Sequence, residues 1–185
     1  MELVLVAPEI PHNTGCAARL SAATGVRLHL VEPLGFSLED RYLKRAGLDY
    51  WPLVELLVHR SFDALLAELA RTGERPVEER LRLFSARGGT SLFETPFAAD
   101  DVLVFGCESR GLAPELLAGR EARRVYVPIR AGVRSLNLAN VACLGLYTAL
   151  ARAGAPLPQN DGRYEAHPRA AEDVRPSSRV RHVDA

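Results

Sequence analysis

A chain of 185 residues, 48% hydrophobic and 25% charged, has the composition of one globular domain with a sizeable core. Its 23 basic and 23 acidic residues cancel, which excludes a global field that would announce a nucleic-acid partner. Cys16, Cys107 and Cys143 lack CxxC spacing, and the five histidines are scattered, so neither a disulfide framework nor a metal site is expected. No apolar run nears the ~20 residues of a membrane span, and no charged leader precedes the first apolar segment. A cytoplasmic protein with no membrane contact is expected. Lys44 is the only lysine. An arginine bias of this kind suits phosphate binding, and genomic base composition produces it too.

Leu3 to Ala7 is a short apolar run, predicted as a buried strand and ended by Pro8 and Pro11. A helix follows from His12 to near Gly25, with Asn13 or Thr14 as its N-cap. Arg27 to Val31 is a second strand, and the βαβ unit so formed makes the two strands parallel. Asp40 to Ala46 reads as a short basic helix, Gly47 to Pro52 as a loop, and Val54 to Val58 as a strand. Ser61 caps a helix over Phe62 to Leu69, whose Phe62, Leu65, Leu66 and Leu69 fall at helical spacing. Arg71 to Arg80 reads as a charged loop and Leu81 to Ser85 as a strand before the Gly88-Gly89 turn.

Val102 to Phe105 is apolar throughout, as a central strand should be. It runs into Gly106-Cys-Glu-Ser-Arg-Gly111, and a short helix starts at Pro114. Val125 to Val127 is a strand stopped by Pro128, and a polar loop with Arg130, Arg134, Ser135 and Asn137 follows. The helix from Leu138 to Leu150 is apolar on nearly every side, more than one core covers, so a homodimer is expected. One domain over residues 1–154 results. The proline- and charge-rich tail, residues 155–185, is expected to be disordered or loosely packed.

Gly106 to Gly111 has GxxxxG spacing, but Leu112-Ala113 stands where a P-loop needs its lysine and hydroxyl residue. No GxGxxG follows a strand either. A plain tight turn and a loop that lets backbone approach a flat ligand both satisfy what is left. Glu108 and Arg110 also read as a solvated pair, Arg19 as a surface arginine, and Ser135 and Asn137 as caps. Asn140, an amide inside an apolar helix, needs a partner wherever it is buried.

Three blocks resemble the SPOUT class of S-adenosylmethionine-dependent RNA methyltransferases: Pro8 to Arg19, Phe105 to Leu112, and Val127 to Leu138. Within that class they are similar to the compact tRNA wobble-nucleotide ribose 2'-O-methyltransferases (the TrmL type), with subfamily detail in Pro33 to Phe36 and Arg45 to Trp51. The likeness spans about residues 2–153 and leaves the tail without a counterpart. It implies a mostly parallel α/β sheet flanked by helices, with a C-terminal deep trefoil knot. S-adenosyl-L-methionine is the implied cofactor, held by Ala86, Gly106, Gly111, Val127, Ser135 and Leu136. Arg19, Ser135 and Asn137 are the implied catalytic residues, with Asn13, Arg110 and Arg134 toward RNA. The implied partners are tRNA and a second copy, met through the first and last helices. Cys107 stands where proline is common. The reading leaves open another tRNA or rRNA position as target, and a non-catalytic RNA-binding dimer of the same fold.

Overall fold

The structure is a computed structural model, and it describes residues 1–38, 48–86, 88–159 and 180–183. Its centre is one sheet of eight strands: β1 (Glu2–Val6), β2 (Arg27–Val31), β3 (Leu56–His59), β4 (Leu81–Phe84), β5 (Thr90–Ser91), β6 (Val102–Phe105), β7 (Arg124–Tyr126) and β8 (Val180–Val183). They lie in the order β5-β7-β4-β6-β1-β2-β3-β8. Every ladder is parallel, with Leu3 opposite Leu28 on one side and Leu103 on the other.

Helices α1 (Pro11–Thr24) and α5 (Leu138–Arg152) cover one face, while α2 (Phe62–Thr72), α3 (Val77–Arg80) and α4 (Pro114–Leu117) are the other α-helices among the described residues. Alternate residues of each strand feed two cores. Leu3, Leu5, Leu28, Leu30, Leu103 and Phe105 pack with Ala17, Ala18, Leu146 and Ala149, whereas Val4, Val31, Val102 and Val104 pack with Leu65 and Leu69. Cover on both faces is why these strands read as unbroken apolar runs.

Several boundaries differ from the sequence reading for physical reasons. Helix α1 opens at Pro11 with Ile10 as an N-cap that makes no side-chain bond, and Asn13 and Thr14 are buried inside its first turn. Residues Leu48–Leu53 form a 3-10 turn, and β3 starts only at Leu56. The charged segment 71–80 is not a loop: α2 runs on to Thr72 and α3 occupies Val77–Arg80. Arg80 is 3% exposed because its guanidinium bonds the carbonyls of Leu69 and Asp100, both at 2.9 Å. Arg75 grips Asp100 and Asp101 beside it. Ser61 caps α2, accepting from Ala64 N at 3.1 Å. The basic helix expected over residues 40–46 lies outside the described residues. Within the expected tail, Val180–Val183 forms an edge strand on β3 that the sequence reading did not place. Among the described residues, no helix is long and apolar enough to cross a membrane.

Candidate active site

Strands β6 and β7 both flank β4 in parallel register, so the segments that follow all three strands emerge at the same end of the sheet. Strand β1 lies on the far side of β6, which brings residues 7–10 to that end as well. Ala7 there adopts φ +49°, a left-handed conformation that costs a non-glycine residue of order 1–3 kcal/mol.

The 106–111 segment folds back on itself. Cys107 and Gly111 form an antiparallel bridge, with Gly111 N donating to Cys107 O at 2.9 Å, and Gly111 has φ +75°. A Cβ on Gly106 would overlap the Gly111 carbonyl carbon and Leu112 N, so only glycine fits. The tight-turn reading is correct in shape, and that shape presents a side-chain-free backbone at the sheet end.

Two carboxylates clasp this loop to the start of α1. Glu108 accepts from Glu9 N at 2.8 Å, Ile10 N at 3.2 Å and Asn13 Nδ2 at 2.9 Å. It thereby serves the N-cap N–H from a different loop, as the glutamate of a capping box does from within its own helix. In return, Glu9 accepts from Ser109 N at 3.0 Å and Ser109 Oγ at 2.7 Å. Those two bonds from Ser109, helped by the Arg110 charge, hold the Glu9 carboxyl below its ordinary value. The third segment joins through Asn137, whose Nδ2 donates to Asn13 Oδ1 at 3.0 Å. Its Oδ1 caps α5, accepting from Ala139 N at 2.9 Å and Asn140 N at 3.3 Å. Three segments distant in sequence are thus bonded into one rim.

Beside that rim lies a cleft of about 460 Å³ lined by Ala86, Gly88, Tyr126, Val127, Pro128 and Ile129. The volume suits a nucleoside-sized ligand, and Ala86, Val127, Pro128 and Ile129 give the lining its apolar part. It fits a cofactor of that kind. Of the residues that the resemblance implies for the cofactor, Ala86 and Val127 line this cleft, whereas Gly106, Gly111, Ser135 and Leu136 are not in the lining.

Residues 128–137 are exposed throughout, with Ile129, Val133 and Leu136 at 36%, 51% and 42%. Arg110, Arg134 and Ser135 are exposed on this surface. Arg19 is exposed on α1, and its guanidinium lies over the Tyr50 ring rather than in the cleft. Two expectations change. Asn13 is 3% exposed with both ends of its amide engaged, so it is a joint within the rim rather than a contact for RNA. Asn137 is likewise committed to the α5 cap and to Asn13, which makes it a positioning residue. Asn140 faces outward and needs no buried partner. Sequence reasoning missed Gly88, Tyr126, Pro128 and Ile129 as lining, and it took Glu108 for half of a solvated pair. The available signal was its place between two glycines at a strand end.

A cleft at the strand ends of a parallel sheet stands where α/β proteins bind small ligands. Residues 1–147 match the SpoU rRNA Methylase family, and the chain belongs to that family. A relative from Polaromonas sp., named tRNA (cytidine(34)-2'-O)-methyltransferase, is 44% identical over 171 residues, covering 92% of this chain and 97% of that protein. One of the same name from Burkholderia pseudomallei is 46% identical over 153 residues, or 82% of this chain and 95% of that protein. A solved structure described as "Structural insights into the 2-OH methylation of C/U34 on tRNA" shares 48% identity at a TM-score of 0.75, covering 83% of this chain and 95% of that one.

Proposed function

We propose that this protein transfers a methyl group from S-adenosyl-L-methionine to the ribose 2'-hydroxyl of the wobble nucleotide of tRNA, acting in the cytoplasm as a homodimer. One observation carries the reading: the rim built by Glu108, Asn13 and Asn137 holds the glycine loop and the serine-asparagine loop together beside the cleft. The cofactor, when bound, supplies an electrophilic methyl carbon on a sulfonium.

The chain's own part is positioning and charge. Ala86 and Val127 line the cleft and hold the cofactor there, with Gly106, Gly111, Ser135 and Leu136 contributing backbone from the segments that follow β6 and β7. Arg19 is the catalytic residue. Arginine is a cation at any physiological pH, so its work is to hold the neighbouring phosphate and stabilise the 2'-oxygen as its proton departs. Ser135 orients the cofactor or the sugar, and Arg110 and Arg134 take up RNA phosphates, which supplies locally what the neutral net charge does not.

The dimer is supported by the outer face of α5, where Leu144 and Tyr147 are 38% and 40% exposed, and by the uncovered Ile129, Val133 and Leu136. Since Arg19 lies outside its own chain's cleft, the partner copy is the source of the arginine at each site. The knot is supported by the path of α5, which leaves β7 beyond β4 and returns to seat Gly145 on Phe84 and Phe105.

Mass mapping of tRNA from a deletion strain tests the target: the wobble 2'-O-methyl is missing, and a loss at another tRNA position or in rRNA would move the activity there. Titration calorimetry with S-adenosyl-L-methionine tests the chemistry, since absence of binding leaves only a non-catalytic RNA-binding dimer. Arg19→Ala removes nearly all transfer, leaving a small measurable rate, with cofactor binding retained.

A further inference from the structure

Tyr50, in the 3-10 turn Leu48–Leu53, has no place in the site described so far, yet its ring lies under the Arg19 guanidinium. Arg19 is an exposed residue between Ala18 and Leu20, which are 0% and 8% exposed. Its backbone is fixed by that packing, but a long exposed arginine has many rotamers to lose before it can act. Its Cζ sits 5.3 Å from the centroid of the Tyr50 ring, within cation–π range.

We propose that Tyr50 is the positioning residue for Arg19, a platform that holds the guanidinium by its face and leaves its N–H edges free for the RNA. The inference rests on the reading of Arg19 given above. A carboxylate could restrain the same side chain, but it would occupy the donors and cancel the charge that phosphate and oxyanion require. An aromatic ring restrains the cation without neutralising it. The platform is itself held firmly. Trp51, the next residue, is 7% exposed and belongs to the same core cluster as Ala17, Ala18 and Leu20. Val54 N closes the turn on Trp51 O at 3.1 Å. Ring and arginine therefore stand on two elements anchored in one core.

The test uses the full-length protein, with single-turnover methyl transfer, S-adenosyl-L-methionine binding and thermal denaturation measured on each variant. Tyr50→Leu lowers the transfer rate about tenfold while cofactor affinity stays within about twofold, and Tyr50→Phe, which keeps the ring, restores it. Should Tyr50→Leu lose its fold, Tyr50→Met gives the same comparison. In an Arg19→Ala background, Tyr50→Leu causes no further loss, since the ring acts only through the arginine. A Tyr50→Leu rate equal to wild type, or a loss that adds to that of Arg19→Ala, overturns the inference while Arg19 keeps its role. An Arg19→Ala variant at full rate overturns the reading of Arg19 itself.

Discussion

Asn137 Nδ2 donates to Asn13 Oδ1 at 3.0 Å, closing a hydrogen-bond chain between residues 124 positions apart. The direction of that chain is dictated by its acidic end. A carboxylate at Glu108 only accepts, so Asn13 must turn its NH2 toward it and its carbonyl toward Asn137. Asn137 must then present its NH2 to Asn13 and its carbonyl to the α5 N–H groups. Asn137→Asp keeps a good helix cap but presents an acceptor where Asn13 needs a donor. Expected is a loss of about 1–3 kcal/mol at neutral pH, read by urea denaturation, together with weaker cofactor binding. An Asp variant as stable as the wild type would show that the chain does not hold the loops.

Gly106→Ala addresses the other loop. The added methyl has no space between Gly111 and Leu112, so the bridge from Cys107 to Gly111 must open. Because β6 itself is untouched, the expected cost falls on the site more than on the fold: cofactor affinity drops at least tenfold, while stability falls by roughly 1–3 kcal/mol. Calorimetry and thermal denaturation on the same preparation separate the two.

What the sequence revealed follows from the range of each interaction. β1, β2 and β6 are legible because both faces of the sheet are covered and each strand is apolar throughout, and the Ser61 cap because its partner Ala64 is three residues away. Asn13 is misread as a cap because the carboxylate that serves the helix start comes from Glu108, 95 residues on. Arg80 reads as loop because a charged side chain advertises solvent, whereas the carbonyls that satisfy it belong to other segments. The two loops stand out in the sequence by their glycines, serine and asparagine and by the family resemblance, yet their bonding is visible only in three dimensions.

Two of the scattered histidines meet in the sheet. His29 Nε2 lies 3.1 Å from the partly buried Glu2, and His29 Nδ1 lies 2.9 Å from His59 Nε2, with both histidines fully buried. The carboxylate requires a proton on His29 Nε2, so His29 Nδ1 accepts from His59 Nε2–H. His59 Nδ1 then carries no proton and has no partner among the described residues. Burial, with the neighbouring His29, pushes His59 down from its ordinary 6.5 to about 4. The unfolded chain takes up this proton first, so the contribution is fully present above pH 6.5 and is lost as pH falls toward 4. Stability should drop by roughly 2–3 kcal/mol over that window. In His59→Leu, the slope between those pH values flattens although stability at pH 7 falls, because His29 Nδ1 loses its donor. An unchanged slope would assign the proton uptake elsewhere.

Gly145 marks the closest approach of α5 to the sheet. Phe84 and Phe105 stack with centroids 4.3 Å apart, and a Cβ on Gly145 would stand 2.9 Å from the Phe84 ring. Helix propensity alone favours alanine here by about 1 kcal/mol. Overpacking opposes it, since neither ring can move without disturbing a buried neighbour, and the expected net loss for Gly145→Ala is about 1–2 kcal/mol. Gly145→Val should cost more and, as α5 shifts outward, weaken the proposed dimer, measured by sedimentation.

The β8 strand makes a prediction about the tail. Without it, β3 would be a sheet edge, with the unpaired backbone of Leu56–His59 open to another chain. Strand β8 covers β3 with four parallel pairs, from Leu56 opposite Val180 to His59 opposite Val183, and puts the exposed Arg181 and His182 at the edge in place of an apolar strand. The cleft lies after β4 and β7, on the other side of the sheet from this edge. A chain ending at Gln159 should therefore keep cofactor affinity within about twofold, but lose about 1–2 kcal/mol of stability and associate above micromolar concentration, seen by light scattering. Loss of cofactor binding in that truncation would instead tie the tail to the site.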